Sequence, residues 1–201
     1  METIPIDPRG DVCFVLDADD EEKVGFVVSS KVLTLASDVF SAMLSPRFRE
    51  GDALMLSNSP TPLEISLFDD SPTGMRVLLN VPHHRPTPKR LIFQELIAVA
   101  TLVDKYNCRH IFQAISTAWI APLIRGLGLH EELPDFLGIT IAFENEDMFA
   151  AVFLGLALTT GTKLNTATAV ERIEGRALAD LVSDEICRKL YTLRGSTSWK
   201  I

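Results

Sequence analysis

Phe26-Val27-Val28-Ser29-Ser30-Lys31-Val32-Leu33-Thr34-Leu35-Ala36-Ser37-Asp38-Val39-Phe40-Ser41-Ala42-Met43-Leu44 is the stretch in which the hydrophobic period of this chain changes. Phe26 to Val28 continue a short apolar, β-prone run, whereas Val32, Leu33 and Ala36 recur at helical spacing. Ser37-Asp38 interrupts that spacing before Phe40, Met43 and Leu44 resume it. Two short helices are therefore predicted, with Ser37 or Asp38 capping the second.

Working upstream, Asp11-Val12-Cys13-Phe14-Val15-Leu16-Asp17 reads as a strand covered on both faces. The acidic turn Asp17 to Lys23 joins it to Val24-Gly25-Phe26-Val27-Val28, so the two strands make a hairpin. Residues 1–9 read as a tail. Downstream, Pro46 to Gly51 reads as a loop and Asn58 to Pro62 as a turn. Leu63, Ile65 and Leu67 alternate with Glu64 and Ser66, the period of a strand with one wet face. Asp70-Ser71-Pro72 supplies a cap and a proline for a helix over Thr73 to Asn80 that buries Met75, Leu78 and Leu79. Pro82, Pro86 and Pro88 stop it. Ile92, Leu96, Val99, Val103 and Tyr106 then mark one apolar helix face, and Phe112, Ile115, Trp119 and Leu123 a second. Gly126 and Gly128 end that element, and helices are expected over Leu133–Phe143, Met148–Thr159 and Val170–Leu193, with Gly161–Thr168 as a mobile loop. The order predicts an α+β fold, a small β-sheet capped by α-helices and followed by a helical extension.

At 201 residues, 47% hydrophobic and 23% charged, the chain needs no disulfide or metal to build a core. Its net charge of −8 is uneven: residues 1–70 carry 14 acids and 5 bases, residues 71–130 carry 2 acids and 7 bases, and the rest 11 acids and 7 bases. Bases dispersed among apolar residues in an acidic chain are poorly suited to nucleic acid, which is not expected as a partner. Cys13, Cys108 and Cys187 are far apart and odd in number, which fits cytosol or nucleus. The start has neither the basic segment nor the apolar run of a secretory signal. The longest uncharged apolar stretch, Met148 to Thr162, is shorter than the ~20 residues of a membrane span, so no membrane role is expected.

No His-Glu-x-x-His, Gly-x-Ser-x-Gly or phosphate-binding glycine motif occurs, and neither catalysis nor a cofactor is expected. His83, His84, Cys108 and His110 have the wrong spacing for a structural zinc site. His83 and His84 read instead as a proline-stiffened exposed loop, and Cys108 as a small buried thiol.

The ordered succession of Asp11-Val12-x-Phe14-x-Leu16, the stretch Phe26 to Leu44, Phe48-Arg49-Glu50-Gly51, Ile65-x-Leu67-x-Asp69-Asp70 and Leu102 to Cys108 resembles a BTB/POZ domain of a short fungal type, across residues 10–124. The resemblance implies a three-stranded sheet capped by helical hairpins, no catalysis, and a protein–protein interaction role as scaffold or adaptor. It also implies self-association as a homodimer or with other BTB chains, and in some members adaptor duty for a cullin-type ubiquitin ligase. Cullin-binding members place an apolar-x-Glu motif where Phe48-Arg49-Glu50 stands here, which makes Phe48 and Glu50 the candidate cullin contact. An exposed Phe would anchor in a partner pocket with Glu50 as an acceptor beside it; the alternative is a Phe48 folded back onto its own core. Departures from the family include Ser30 at the position of a common His, only ten residues before Asp11, and Val81 to Pro88 in place of a hairpin.

Three functional readings follow: a BTB-like adaptor over residues 10–124 with a helical extension over 125–201, a self-associating protein without a cullin role, and a small enzyme or ligand binder with a pocket near His110 and Trp119. The second rests on Val12, Phe14, Leu33 and Phe40 as a self-association face.

Overall fold

The computed structural model describes residues 1–17, 23–57, 59–126 and 133–152. The expected helix over Val170–Leu193, the loop Gly161–Thr168, most of the acidic turn and the end of the Met148–Thr159 helix lie outside them. The chain divides into two compact units, Met1–Phe112 and Gln113–Ile201.

The first unit is α+β. Strands β2 (Val12–Asp17) and β3 (Lys23–Val28) form the expected antiparallel hairpin, with Phe14 opposite Phe26 and Leu16 opposite Val24. Strand β4 (Leu63–Leu67) joins β2 in parallel, pairing Ile65 with Phe14. The segment read as a tail supplies a fourth strand, β1 (Glu2–Pro5), parallel to β3 with Ile4 opposite Phe26. The sheet order is β1-β3-β2-β4, so a single row crosses it as Ile4, Phe26, Phe14 and Ile65. Val12 to Leu16 are all buried, as a strand covered on both faces requires.

Between β3 and β4 run three helices, α1 (Ser30–Ala36), α2 (Asp38–Met43) and α3 (Arg49–Leu56). The first two stand where the change of period puts them, and Ser37 is the cap of α2, its hydroxyl accepting from the Phe40 N–H. The start of α1 is satisfied from outside: Asp11 accepts from the Ser30 N–H at 2.7 Å and its hydroxyl at 2.6 Å. Helix α3 occupies part of the segment read as a loop.

Helix α4 (Pro72–Asn80) begins on the expected cap, Ser71 accepting from the Gly74 N–H, with proline in its first turn. It buries Met75, Val77, Leu78 and Leu79. Helix α5 (Phe93–Lys105) buries Leu96, Val99 and Val103 as the face predicts, while Ile92 at its cap is 65% exposed. The two helices pack through Gly74, where a Cβ would stand 3.0 Å from Leu102 Cδ1 and 3.1 Å from the Ala98 carbonyl oxygen. Helix α6 (Arg109–Gly126) begins in the first unit.

Aromatic rings join the sheet to these helices. Phe40 stacks on Phe14 at 5.4 Å and on Tyr106 at 4.3 Å between centroids. Tyr106 is held at both ends: its hydroxyl donates to Asp70 at 2.5 Å, and its carbonyl accepts from the Ser37 hydroxyl. Burial, and after it the Asp70 carboxylate, push the Tyr106 phenol far above its ordinary range. The second oxygen of Asp70 takes Lys105 Nζ at 2.6 Å.

The second unit is helical in its described part. It contains the remainder of α6, α7 (Leu133–Ala142) and a helical stretch over 146–152. Asn145 caps that stretch by accepting from the Met148 N–H, while its amide donates to the Ser116 and Thr117 hydroxyls of α6 at 2.8 Å each. Trp119 meets Phe143 at 6.4 Å.

Replacing Asp70 by Ala removes the acceptor of the buried Tyr106 hydroxyl, whereas Lys105 is half-exposed and returns to water. The expected loss is about 1–3 kcal/mol of unfolding free energy, read as a lower urea midpoint at unchanged slope.

Candidate interaction surface

The loop that carries Phe48-Arg49-Glu50 is built by the end of α2. The Phe48 N–H donates to the Ser45 carbonyl at 3.1 Å, and the Asp52 N–H donates to the Phe48 carbonyl at 2.9 Å. Phe48 thus becomes the cap residue of α3, with extended backbone angles and no side-chain hydrogen bond. Phe48 is 51% exposed. Glu50, partly exposed, and Asp52 lie in the first helical turn, where carboxylates oppose the positive end of the helix dipole.

Gly51 decides how α3 sits. It is the buried residue of that helix, and a Cβ there would stand 2.0 Å from the Ser45 carbonyl oxygen and 2.5 Å from the Leu44 carbonyl carbon. Both obstacles are backbone and cannot swing away. Met55 is 70% exposed and Leu56 72%.

A second apolar pair flanks the Ser37 cap, with Leu35 86% exposed at the end of α1 and Val39 37% exposed at the start of α2. Phe68 and Ile92 are exposed as well. Scattered apolar residues are normal on a surface; Leu35, Val39, Phe48, Met55 and Leu56 are notable for falling on consecutive short helices.

The residues expected to form a self-association face do not form one. Val12, Phe14, Leu33 and Phe40 are 0–2% exposed and make up the core of the unit that carries them. Helical and strand periods identify an apolar side, and here that side is covered by the chain's own elements. Leu35, two residues after Leu33, and Val39, next to Phe40, are exposed instead.

The polar candidates separate. His84 is exposed at φ 53°, His110 is exposed, and Cys108 is buried with its thiol pushed up to about 12 by burial. Burial, then the Glu64 carboxylate, also raise the Cys13 thiol. His83 does not share the exposure expected of its loop: it is half-buried and bonded to backbone on both ring nitrogens. Among the described residues no three His, Cys, Asp or Glu side chains gather as a metal site, and no helix is long and apolar enough to cross a membrane.

Gly51→Ala leaves Phe48 and Glu50 in the sequence but forces α3 off the α2–α3 turn. Alanine ordinarily favours a helix by about 1 kcal/mol over glycine, so a net destabilisation of about 1–3 kcal/mol in thermal or urea unfolding measures the backbone clash.

Compared with protein-family models and with curated proteins, the chain matches none.

Proposed function

We propose that this protein is a protein–protein interaction module of BTB/POZ type, acting as a scaffold or adaptor, and that it docks a cullin-type partner through Phe48 and Glu50. The observation that carries this reading is the exposure of Phe48 at the head of α3, a helix whose first turn holds Glu50 and Asp52 and whose last turn exposes Met55. Aromatic side chains presented in this way are the usual anchors of protein interfaces, because a large apolar area is gained for few frozen rotors. The order of the sequence segments supports the family assignment, and the α+β architecture of the first unit is compatible with it. Cytosol or nucleus is the compartment in which such an adaptor would meet its partner.

The test is a pull-down of a purified cullin N-terminal domain by the full chain. Binding is expected, with a loss of at least about tenfold in affinity for Phe48→Ala combined with Glu50→Ala, as truncation of a central anchor produces. Retained affinity in a folded double variant removes the contact from consideration.

Self-association is favoured by a different observation, the exposed pair Leu35 and Val39 across the α1–α2 corner. A dimer joined there would bury both residues without opening the core. Light scattering at rising concentration should show a dimer for the native chain and a monomer for Leu35→Asp combined with Val39→Asp. A native chain that stays monomeric at the highest concentration contradicts this reading.

A further inference from the structure

The segment over 81–86 is fastened to two other parts of the first unit. His83 Nδ1 lies 2.8 Å from the Leu79 carbonyl oxygen, and Nε2 lies 3.0 Å from the Ser29 nitrogen. Two residues on, Arg85 Nε donates to the Ile6 carbonyl at 2.6 Å. One short loop thus holds both the junction between β3 and α1 and the chain just after β1.

The partners fix the state of the ring. A backbone N–H can only donate and a backbone carbonyl can only accept, so Nε2 must be bare and Nδ1 must carry the hydrogen. An imidazolium has hydrogens on both nitrogens and cannot accept from Ser29. It would leave two N–H groups facing each other at hydrogen-bonding distance.

The surroundings oppose that extra proton on balance. Burial is the largest influence and lowers the His83 pKa; the Leu79 carbonyl and Asp7 raise it, and Arg85 and His84 lower it. Asp11 binds the Ser30 N–H and hydroxyl, the neighbours of Ser29.

We propose that His83 is an acid-released latch: its neutral ring clamps the 81–86 loop onto the β3–α1 junction, and a proton on Nε2 opens the clamp and frees the loop together with the Arg85–Ile6 tie. The latch is complete above the ordinary histidine value of 6.5 and is lost as the pH falls through the lower value of the latched state. Between the two values the open form holds one more proton, so the opening constant rises by up to about tenfold per pH unit. This inference stands apart from the interaction reading and does not require it.

Hydrogen exchange at the Ser29 amide of the full chain, corrected for intrinsic rates, tests it. Protection is expected to fall about tenfold between about pH 7.5 and about pH 5 in the native chain. In His83→Gln the side-chain oxygen offers Ser29 an acceptor that does not titrate, and protection should be the same at both pH values. Unchanged protection in the native chain, or an equal loss in the Gln variant, overturns the latch. Long-range nitrogen NMR of the His83 ring gives a reading that needs no variant. A neutral ring protonated at Nδ1, with one shared midpoint for ring and Ser29 amide, is the expected result; hydrogen on Nε2 in the neutral ring, or two unrelated midpoints, contradicts it.

Discussion

The Phe40 ring lies between Phe14 of β2 and Tyr106 at the end of α5, and the first unit depends on that stack. Helices α1 and α2, at 7 and 6 residues, are too short to be stable in water by themselves. What holds them is tertiary contact, and Phe40 supplies the central part of it. The stack is fixed at its outer end by polar groups: Asp70 takes the Tyr106 hydroxyl while the Ser37 hydroxyl reaches the Tyr106 carbonyl. Ser37 also caps α2, so the same oxygen that starts the helix ties it to the end of α5. Burying these groups without partners would cost more than the stacking returns; paired, they leave one arrangement of helices on the sheet.

The elements legible in the sequence are those decided by neighbours along the chain. The hairpin follows from two apolar runs around an acidic turn, the α2 start from Ser37, and the α4 start from Ser71-Pro72. Each uses groups within a few residues of one another. The elements that escaped depend on distant partners. Glu2-Thr3-Ile4-Pro5 has too little apolar content to read as a strand and becomes one only because β3 offers an edge at Val24 to Val27. Helix α3 is hidden by a glycine inside it, a residue that usually argues for a loop; here its lack of a side chain is what lets the helix approach the Ser45 carbonyl. Asp11 and Asp70 give no sign in the sequence that one serves α1 and the other Tyr106.

The candidate surface was legible to the same extent. Phe48 and Glu50 stand out in the sequence because their motif is local, and Phe48 is half-exposed in the structure. Val12, Phe14, Leu33 and Phe40 were misread because an apolar face has the same period whether it meets the chain's own core or a second copy. Only the three-dimensional packing distinguishes the two, and it assigns the outward positions to Leu35 and Val39 instead.

Leu35, Val39, Phe48, Met55 and Leu56, five of the large apolar residues exposed in the described structure, belong to the single connection between β3 and β4. The inward positions of that connection, Leu33, Ala36, Phe40, Leu44 and Gly51, already meet the demands of folding. Polar residues at the outward positions would keep those contacts and avoid the cost of apolar surface in water. Folding does not require apolar side chains at those positions, and their exposure is the feature on which the proposed association rests. Because the inward residues hold the connection rigidly through a serine cap, an aromatic stack and a backbone-to-backbone approach at Gly51, the outward ones are positioned before any partner arrives. In the proposed association, less conformational entropy would then be lost on binding, which is how a small, short-helix surface could reach useful affinity.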